Sequence, residues 1–110
     1  MFTLDPRLAR RGTEKLIAKP YDSVFKGTNL SQMLSLQRVD TVIVTGCSTG
    51  HCVYATCRDV VEAYHLIVPA EAVGDRCELM HEVKLLDIDI ALGDVLPVAQ
   101  VVSYLKSLDG

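Results

Sequence analysis

The chain has 110 residues, a formal net charge of -3 at pH 7 and 49% apolar residues, with a pI near 5.5 and a mean hydropathy of +0.25. That length holds one small domain around a single core, and the acidic balance excludes a basic surface for nucleic acid or anionic membrane. No apolar run reaches the roughly 20 residues of a membrane span. The opening "MFTLDPRLARRGTEK" lacks the apolar centre of a secretory signal, so a cytoplasmic protein is expected. The apolar content is high for so short a domain. It implies either elements buried on both faces or surface reserved for another chain, as in a homo-oligomer.

In chain order, "EKLIAK" (14–19) reads as a short strand and "PYDSVFKGTN" as the loop after it. Asn29 is placed to cap a helix over "LSQMLSLQ", where Leu30, Met33, Leu34 and Leu36 or Gln37 recur at helical spacing. "TVIVTG" (41–46) is a continuous β-branched run, the mark of a strand buried on both faces. A helix follows through "CVYATCRDVVEAY", with Val53, Ala55, Val60, Val61 and Ala63 on its apolar side and Arg58, Asp59 and Glu62 outward. "HLIVPA" is the next strand, "GDRC" a turn, "ELMHEVKLLDIDIAL" a helix, "GDVLPV" a short strand and "VAQVVSYLKSL" a closing helix. Strand and helix alternate, which predicts an α/β fold of parallel strands joined by right-handed crossovers, one domain over residues 1–110.

Cys47, Cys52 and Cys57 fall within eleven residues, and Cys77 follows later. Without a secretory signal, disulfides are not expected. The spacing C-x4-C-x4-C with His51 is not a familiar zinc pattern. Residues five apart on a helix also point about 140° apart, so Cys52 and Cys57 do not easily share an ion. No metal is expected.

The stretch "VIVTGCSTGHCV" (42–53) raises the functional question. As a dinucleotide-binding turn it lacks the last glycine, whose place Cys52 takes. Only 58 residues follow Cys52, and no Tyr-x-x-x-Lys pair exists: Phe25, Arg58, Val68 and Leu108 stand four residues after the tyrosines. As a turn that presents a nucleophile it meets the requirements. A buried strand ends at Gly46, and Cys52 arrives near the start of a helix, where free N–H groups and the helix dipole stabilise a thiolate. The same amides can receive an oxyanion. Lys19, just past another apolar strand, supplies a cation at the carboxyl end of the sheet. Cys47, Cys57 and Cys77 read as small buried hydrophobes. Cys52 reads as the nucleophile.

These residues resemble the isochorismatase-like cysteine hydrolases, from about Asp5 to Leu108. The pattern K-x-x-x-S-x-F-x-G-T-x-L is met by Lys19, Ser23, Phe25, Gly27, Thr28 and Leu30. The pattern TG-x-x-T-x-x-CV is met by Thr45, Gly46, Thr49, Cys52 and Val53. "DPRLARRGTEKLIAK", "AVGDR" and "LLDIDIALGDV" are most similar to the family's N-carbamoyl amidase branch.

The resemblance implies a three-layer, Rossmann-like α/β fold with a parallel sheet. It also implies a catalytic cysteine, lysine and aspartate. Cys52 would attack a small amide or carbamoyl carbon and form a thioester, and Lys19 would steady the thiolate. The backbone N–H groups of Ser48 and Cys52 would form the oxyanion hole, and Arg76 would hold a substrate carboxylate. A cis peptide is implied at Cys47-Ser48. No cofactor is implied, and the partner is a small-molecule amide or carbamoyl substrate, with no nucleic acid or membrane. The family's aspartate, however, lies after a first strand upstream of the lysine, and this chain begins beyond that position. Asp5 falls in the "DPR" loop, and Asp22 follows Lys19 where the family has no acid. The expectation is therefore the C-terminal part of the domain only, with N-terminal strands missing, an open edge on strand 41–46, and catalytic competence of this chain alone in question. The alternative is a non-catalytic subunit or pseudoenzyme of the same fold, associated with an intact homologue.

Overall fold

Three short segments rich in β-branched residues come together as a parallel sheet, and helical segments join them. The computed structural model describes residues 4–108, so residues 1–3 and 109–110 of the expected domain lie outside the described residues. In chain order the elements are α1 (Leu30–Leu36), β1 (Thr41–Ile43), β2 (Gly46–Cys47), α2 (Tyr54–Val60), β3 (His65–Pro69), β4 (Val73–Gly74), α3 (Glu78–Asp87), β5 (Asp94–Leu96) and α4 (Val98–Ser107). π-helical turns at Thr49–Val53 and Ile88–Leu92 lead into α2 and out of α3.

The main sheet has the order β1-β3-β5, and β2 pairs with β4 in a second, two-stranded sheet. All pairings are parallel: Val42 lies opposite Leu66, Val68 opposite Val95, and Gly46 opposite Val73. Parallel neighbours need a long connection, which the helices supply. The alternation expected from sequence is the observed architecture from α1 onward.

Two expectations about strands are corrected. Residues 14–19 form no strand; Leu16 is 64% exposed, and among the described residues no strand pairs with this segment. An apolar stretch without a ladder partner has nothing to satisfy its backbone groups in extended form except water. The run 41–46 is not buried on both faces either. Thr41, Val42 and Ile43 are half-buried, because β1 is hydrogen-bonded on one side only among the described residues. The strand that is enclosed is β3, with Leu66 and Val68 at 1% and 0% exposure between its two neighbours.

The core forms where β3 meets α2 and the turn after α3. Val53, Cys57 and Val60 face inward from α2 and the turn before it, and Ile88 comes from the second π-turn. Arg58, Asp59 and Glu62 are exposed, as their helical positions predict. Each fully buried aliphatic side chain contributes about 1.5–3 kcal/mol through removal from water. The Tyr54 hydroxyl donates to the Asp87 carboxylate and ties α2 to α3. At α1 the expected Asn29 side-chain cap is not made; the Thr28 hydroxyl accepts from Leu30 N–H at 3.3 Å instead. No helix among the described residues is long and apolar enough to cross a membrane.

All four cysteines are free, but their burial differs from expectation. Cys57 is buried, whereas Cys47 and Cys77 are exposed. Cys57 lies on the packed side of α2; Cys47 ends the two-residue strand β2 and Cys77 directly precedes α3.

Candidate active site

The segment after Lys19 is fastened to α2 by its own motif. Pro20 turns the chain, and Lys19 Nζ donates to the carbonyl oxygens of Tyr21 and Asp22, each at 3.1 Å. The Ser23 hydroxyl, 8% exposed, donates to Asp59 Oδ2 on α2 at 2.5 Å and accepts from Phe25 N–H at 3.2 Å. Val24 N–H donates to Thr56 Oγ1, also on α2, at 3.2 Å. Thr28 Oγ1 donates back to the Val24 carbonyl at 2.5 Å and closes the loop onto α1. Lysine, serine and threonine at these spacings thus fold one loop against one helix.

The turn that carries Cys52 is held from the opposite side. Gly46 has φ 112°, a left-handed conformation that favours glycine, and it opens the short strand β2. The peptide bond Cys47-Ser48 is cis, as the resemblance implied. The π-helical turn Thr49–Val53 follows. Gly50 N–H donates to Asp75 Oδ2 at 2.9 Å, while Asp75 Oδ1 accepts from Cys77 N–H at 3.1 Å. The fully buried Thr49 side chain is hydrogen-bonded to His81 Nδ1 on α3 at 2.7 Å. A Cβ on Gly50 would meet Met80 Cγ at 2.3 Å and Asp75 Oδ2 at 3.1 Å, so only glycine lets the turn approach α3 this closely. The amides of Gly50 and then Cys77 hold the Asp75 carboxyl below the usual carboxylate range.

Cys52 and Lys19 line one cavity of about 800 Å³, together with Phe25, Val42, Val44 and Cys47. No hydrogen bond joins the two directly among the described residues; they are linked through Asp22. Its backbone carbonyl takes the Lys19 ammonium, and its carboxylate Oδ1 accepts from Cys52 Sγ at 3.6 Å. Lys19 therefore reaches the cavity from a loop and not from the end of a strand. Ser48 directly precedes the π-helical turn Thr49–Val53 and Cys52 lies within it. Arg76 stands exposed on the turn beside Asp75 and is not part of the cavity lining. Cys57 is a different thiol from Cys52: burial pushes it up to about 11, which leaves it protonated and inert near neutral pH. Among the described residues no group of three or more His, Cys, Asp or Glu is placed to hold a metal ion.

Sequence reasoning did not find Asp75, Thr49 and His81 as supports of the turn, and it set Asp22 aside. For Asp75 a signal was available: an aspartate directly after glycine in "VGDR" can accept amides in a turn. For the Asp22–Cys52 contact none was, since 30 residues separate the two.

The Cys52 thiol thus sits on a tight turn next to a parallel α/β sheet, in one cavity with Lys19. The Isochorismatase domain model matches residues 2–100. The chain is 40% identical over 106 residues to N-carbamoylsarcosine amidase of Arthrobacter sp., covering 96% of this chain and 40% of that protein. It is 38% identical over 104 residues to maleamate amidohydrolase of Pseudomonas putida, covering 94% of this chain and 49% of that protein. A crystal structure of an isochorismatase-like hydrolase from Alkaliphilus metalliredigens superposes with a TM-score of 0.88 at 31% identity, covering 94% of this chain and 57% of that one. The chain belongs to the isochorismatase-like cysteine hydrolase family, with its three-layer α/β fold.

These matches correct the expectation of a C-terminal part with N-terminal strands missing: the family domain extends over residues 2–100, nearly the whole chain, and relatives align over 94–96% of it. The chain spans 40% and 49% of the lengths of the two curated relatives.

Proposed function

We propose that this protein is a cysteine-dependent amidohydrolase that acts on a small amide or carbamoyl substrate through a thioester acyl-enzyme. The observation that carries this reading is the shared cavity: Cys52 opens into it, Lys19 lines it, and the turn beneath Cys52 is fixed by Asp75 and His81. Cys52 sulfur attacks the substrate carbonyl carbon, and the carbonyl π electrons move to oxygen, which the amides of Ser48 and Cys52 receive. The tetrahedral species collapses with cleavage of the C–N bond, the amine leaves with the proton that the thiol gave up, and water then cleaves the thioester and restores the thiol proton. Lys19 balances the negative charge that forms.

The amides named for two relatives, N-carbamoylsarcosine and maleamate, are the first substrates to assay, by release of ammonia. Cys52→Ala is expected to abolish turnover and the thioester adduct seen by mass spectrometry. Hydrolysis at the parent's rate in Cys52→Ala would refute the proposal. Assembly into a homo-oligomer is part of the same reading, and light scattering of the purified chain measures it.

A further inference from the structure

We infer that His81 is a positioning residue for Cys52: as a neutral ring it accepts the Thr49 hydroxyl and fixes the turn whose thiol and amides meet the substrate. The inference rests on Cys52 being the nucleophile. Thr49 opens the π-helical turn Thr49–Val53, and its side chain is 0% exposed. Among the described residues its hydroxyl has one hydrogen-bond partner, His81 Nδ1 at 2.7 Å. His81 lies in the first turn of α3 and is half-buried. Its own N–H donates to the Cys77 carbonyl at 3.0 Å, so the ring is carried on regular helix.

The direction of the Thr49–His81 bond follows from its protons. A hydroxyl has one proton to give, and a buried one needs an acceptor for it. If Nδ1 held the ring proton and donated, the Thr49 proton would face no acceptor among the described residues. Thr49 therefore donates, and Nδ1 is the unprotonated nitrogen of the Nε2–H tautomer.

Two consecutive residues of the turn are thus held by different groups. His81 takes the Thr49 side chain, and Asp75 takes the Gly50 N–H at 2.9 Å. One anchor leaves the turn free to pivot about it; two fix its direction. Met80, next to His81, closes over Gly50, where an added Cβ would stand 2.3 Å from Met80 Cγ. The turn therefore rests on the start of α3. Amides that receive an oxyanion act at about 2.7–3.1 Å from it, and a misplacement of about 1 Å costs on the order of 10²-fold. A thiol in a reaction that forms no oxyanion tolerates such a shift.

The test sets a reaction that builds an oxyanion against one that does not. p-Nitrophenyl acetate acylates Cys52: sulfur bonds to the acetyl carbon, the carbonyl oxygen takes the charge, and p-nitrophenolate leaves as the carbonyl re-forms. Iodoacetamide alkylates the same sulfur by displacement of iodide from a saturated carbon. The full chain and each variant are treated with both reagents. Tandem mass spectrometry places the adducts, with exposed Cys47 as the reference thiol. Thr49→Val, which keeps shape and loses the hydroxyl, and His81→Leu are each expected to slow Cys52 acetylation by about 10–100-fold and alkylation by less than about threefold. His81→Asn, whose side-chain oxygen can stand where Nδ1 does, and Thr49→Ser should recover most of the loss. The double variant Thr49→Val/His81→Leu should be no slower than the slower single one, since each change breaks the same bond. Circular dichroism melts show whether each variant is folded, and Thr49→Val decides if His81→Leu is not.

Acetylation of Cys52 at the parent's rate in Thr49→Val and His81→Leu overturns the proposal. So do equal losses of acetylation and alkylation, or a His81→Asn variant as slow as His81→Leu. In those cases Cys52 remains the nucleophile and only His81 is refuted. A parent whose Cys52 is acetylated no faster than Cys47 instead refutes the hydrolase reading beneath it.

Discussion

Ser23→Ala asks whether the loop that carries Lys19 and Asp22 is held by α2 or only rests against it. The Ser23 hydroxyl is nearly buried and makes two hydrogen bonds, one to the Asp59 carboxylate and one from Phe25 N–H. Alanine removes both. A hydrogen bond to a charged group contributes about 1.5–3 kcal/mol and a neutral one about 1 kcal/mol. Asp59 is exposed and regains water, so the lower end of the first range applies, and the expected loss is about 2.5 kcal/mol. For a domain of this size that lowers the melting temperature by about 10–20 °C. The Val24–Thr56 bond survives, so the loop should loosen without leaving α2. Circular dichroism melts of Ser23→Ala, Asp59→Asn and the double variant measure the effect. A coupling of about 1 kcal/mol is expected between the two sites. A melting temperature within about 2 °C of the parent, with no coupling, would refute the clamp.

The Asp75 carboxylate sets a pH dependence with a definite sign. Its folded value lies below the ordinary 3.8 because the Gly50 and Cys77 amides favour the ionised form. Its contribution is therefore complete above the unfolded value and is lost as pH falls from about 3.8 through the lower folded value. Urea midpoints of Asp75→Asn should fall less steeply with acid in that window than those of the parent, and parallel slopes would refute the assignment. Labelling of the native cysteines gives a second check. With its thiol pushed up to about 11, Cys57 has roughly one part in a thousand as thiolate at pH 8. Iodoacetamide should modify Cys47, Cys52 and Cys77 while sparing Cys57 until the chain unfolds; native labelling of Cys57 at the rate of Cys47 would contradict its burial.

What could be read from the residues in order was what depends on near neighbours. The run "HLIVP" became β3, the helical spacing after Cys52 became α2, and Arg58, Asp59 and Glu62 turned outward as their positions require. Gly46 was identifiable as a break in the apolar run, since its left-handed backbone favours glycine. Burial was not legible in the same way. "TVIV" and "HLIV" are equally apolar, yet only the second is enclosed, since enclosure is a property of the neighbours that the sheet order supplies. "EKLIAK" has a strand's composition and no ladder to join. The site shows the same division. Lys19 and Cys52 could be singled out one at a time, but Asp22 against Cys52, Asp75 under Gly50 and His81 on Thr49 join residues 25 to 32 positions apart. Such contacts carry no local period. They exist because the folded sheet and helices bring the loop after Lys19, the turn after β1 and the start of α3 to one place, where a carboxylate or imidazole finds its partner within hydrogen-bonding distance.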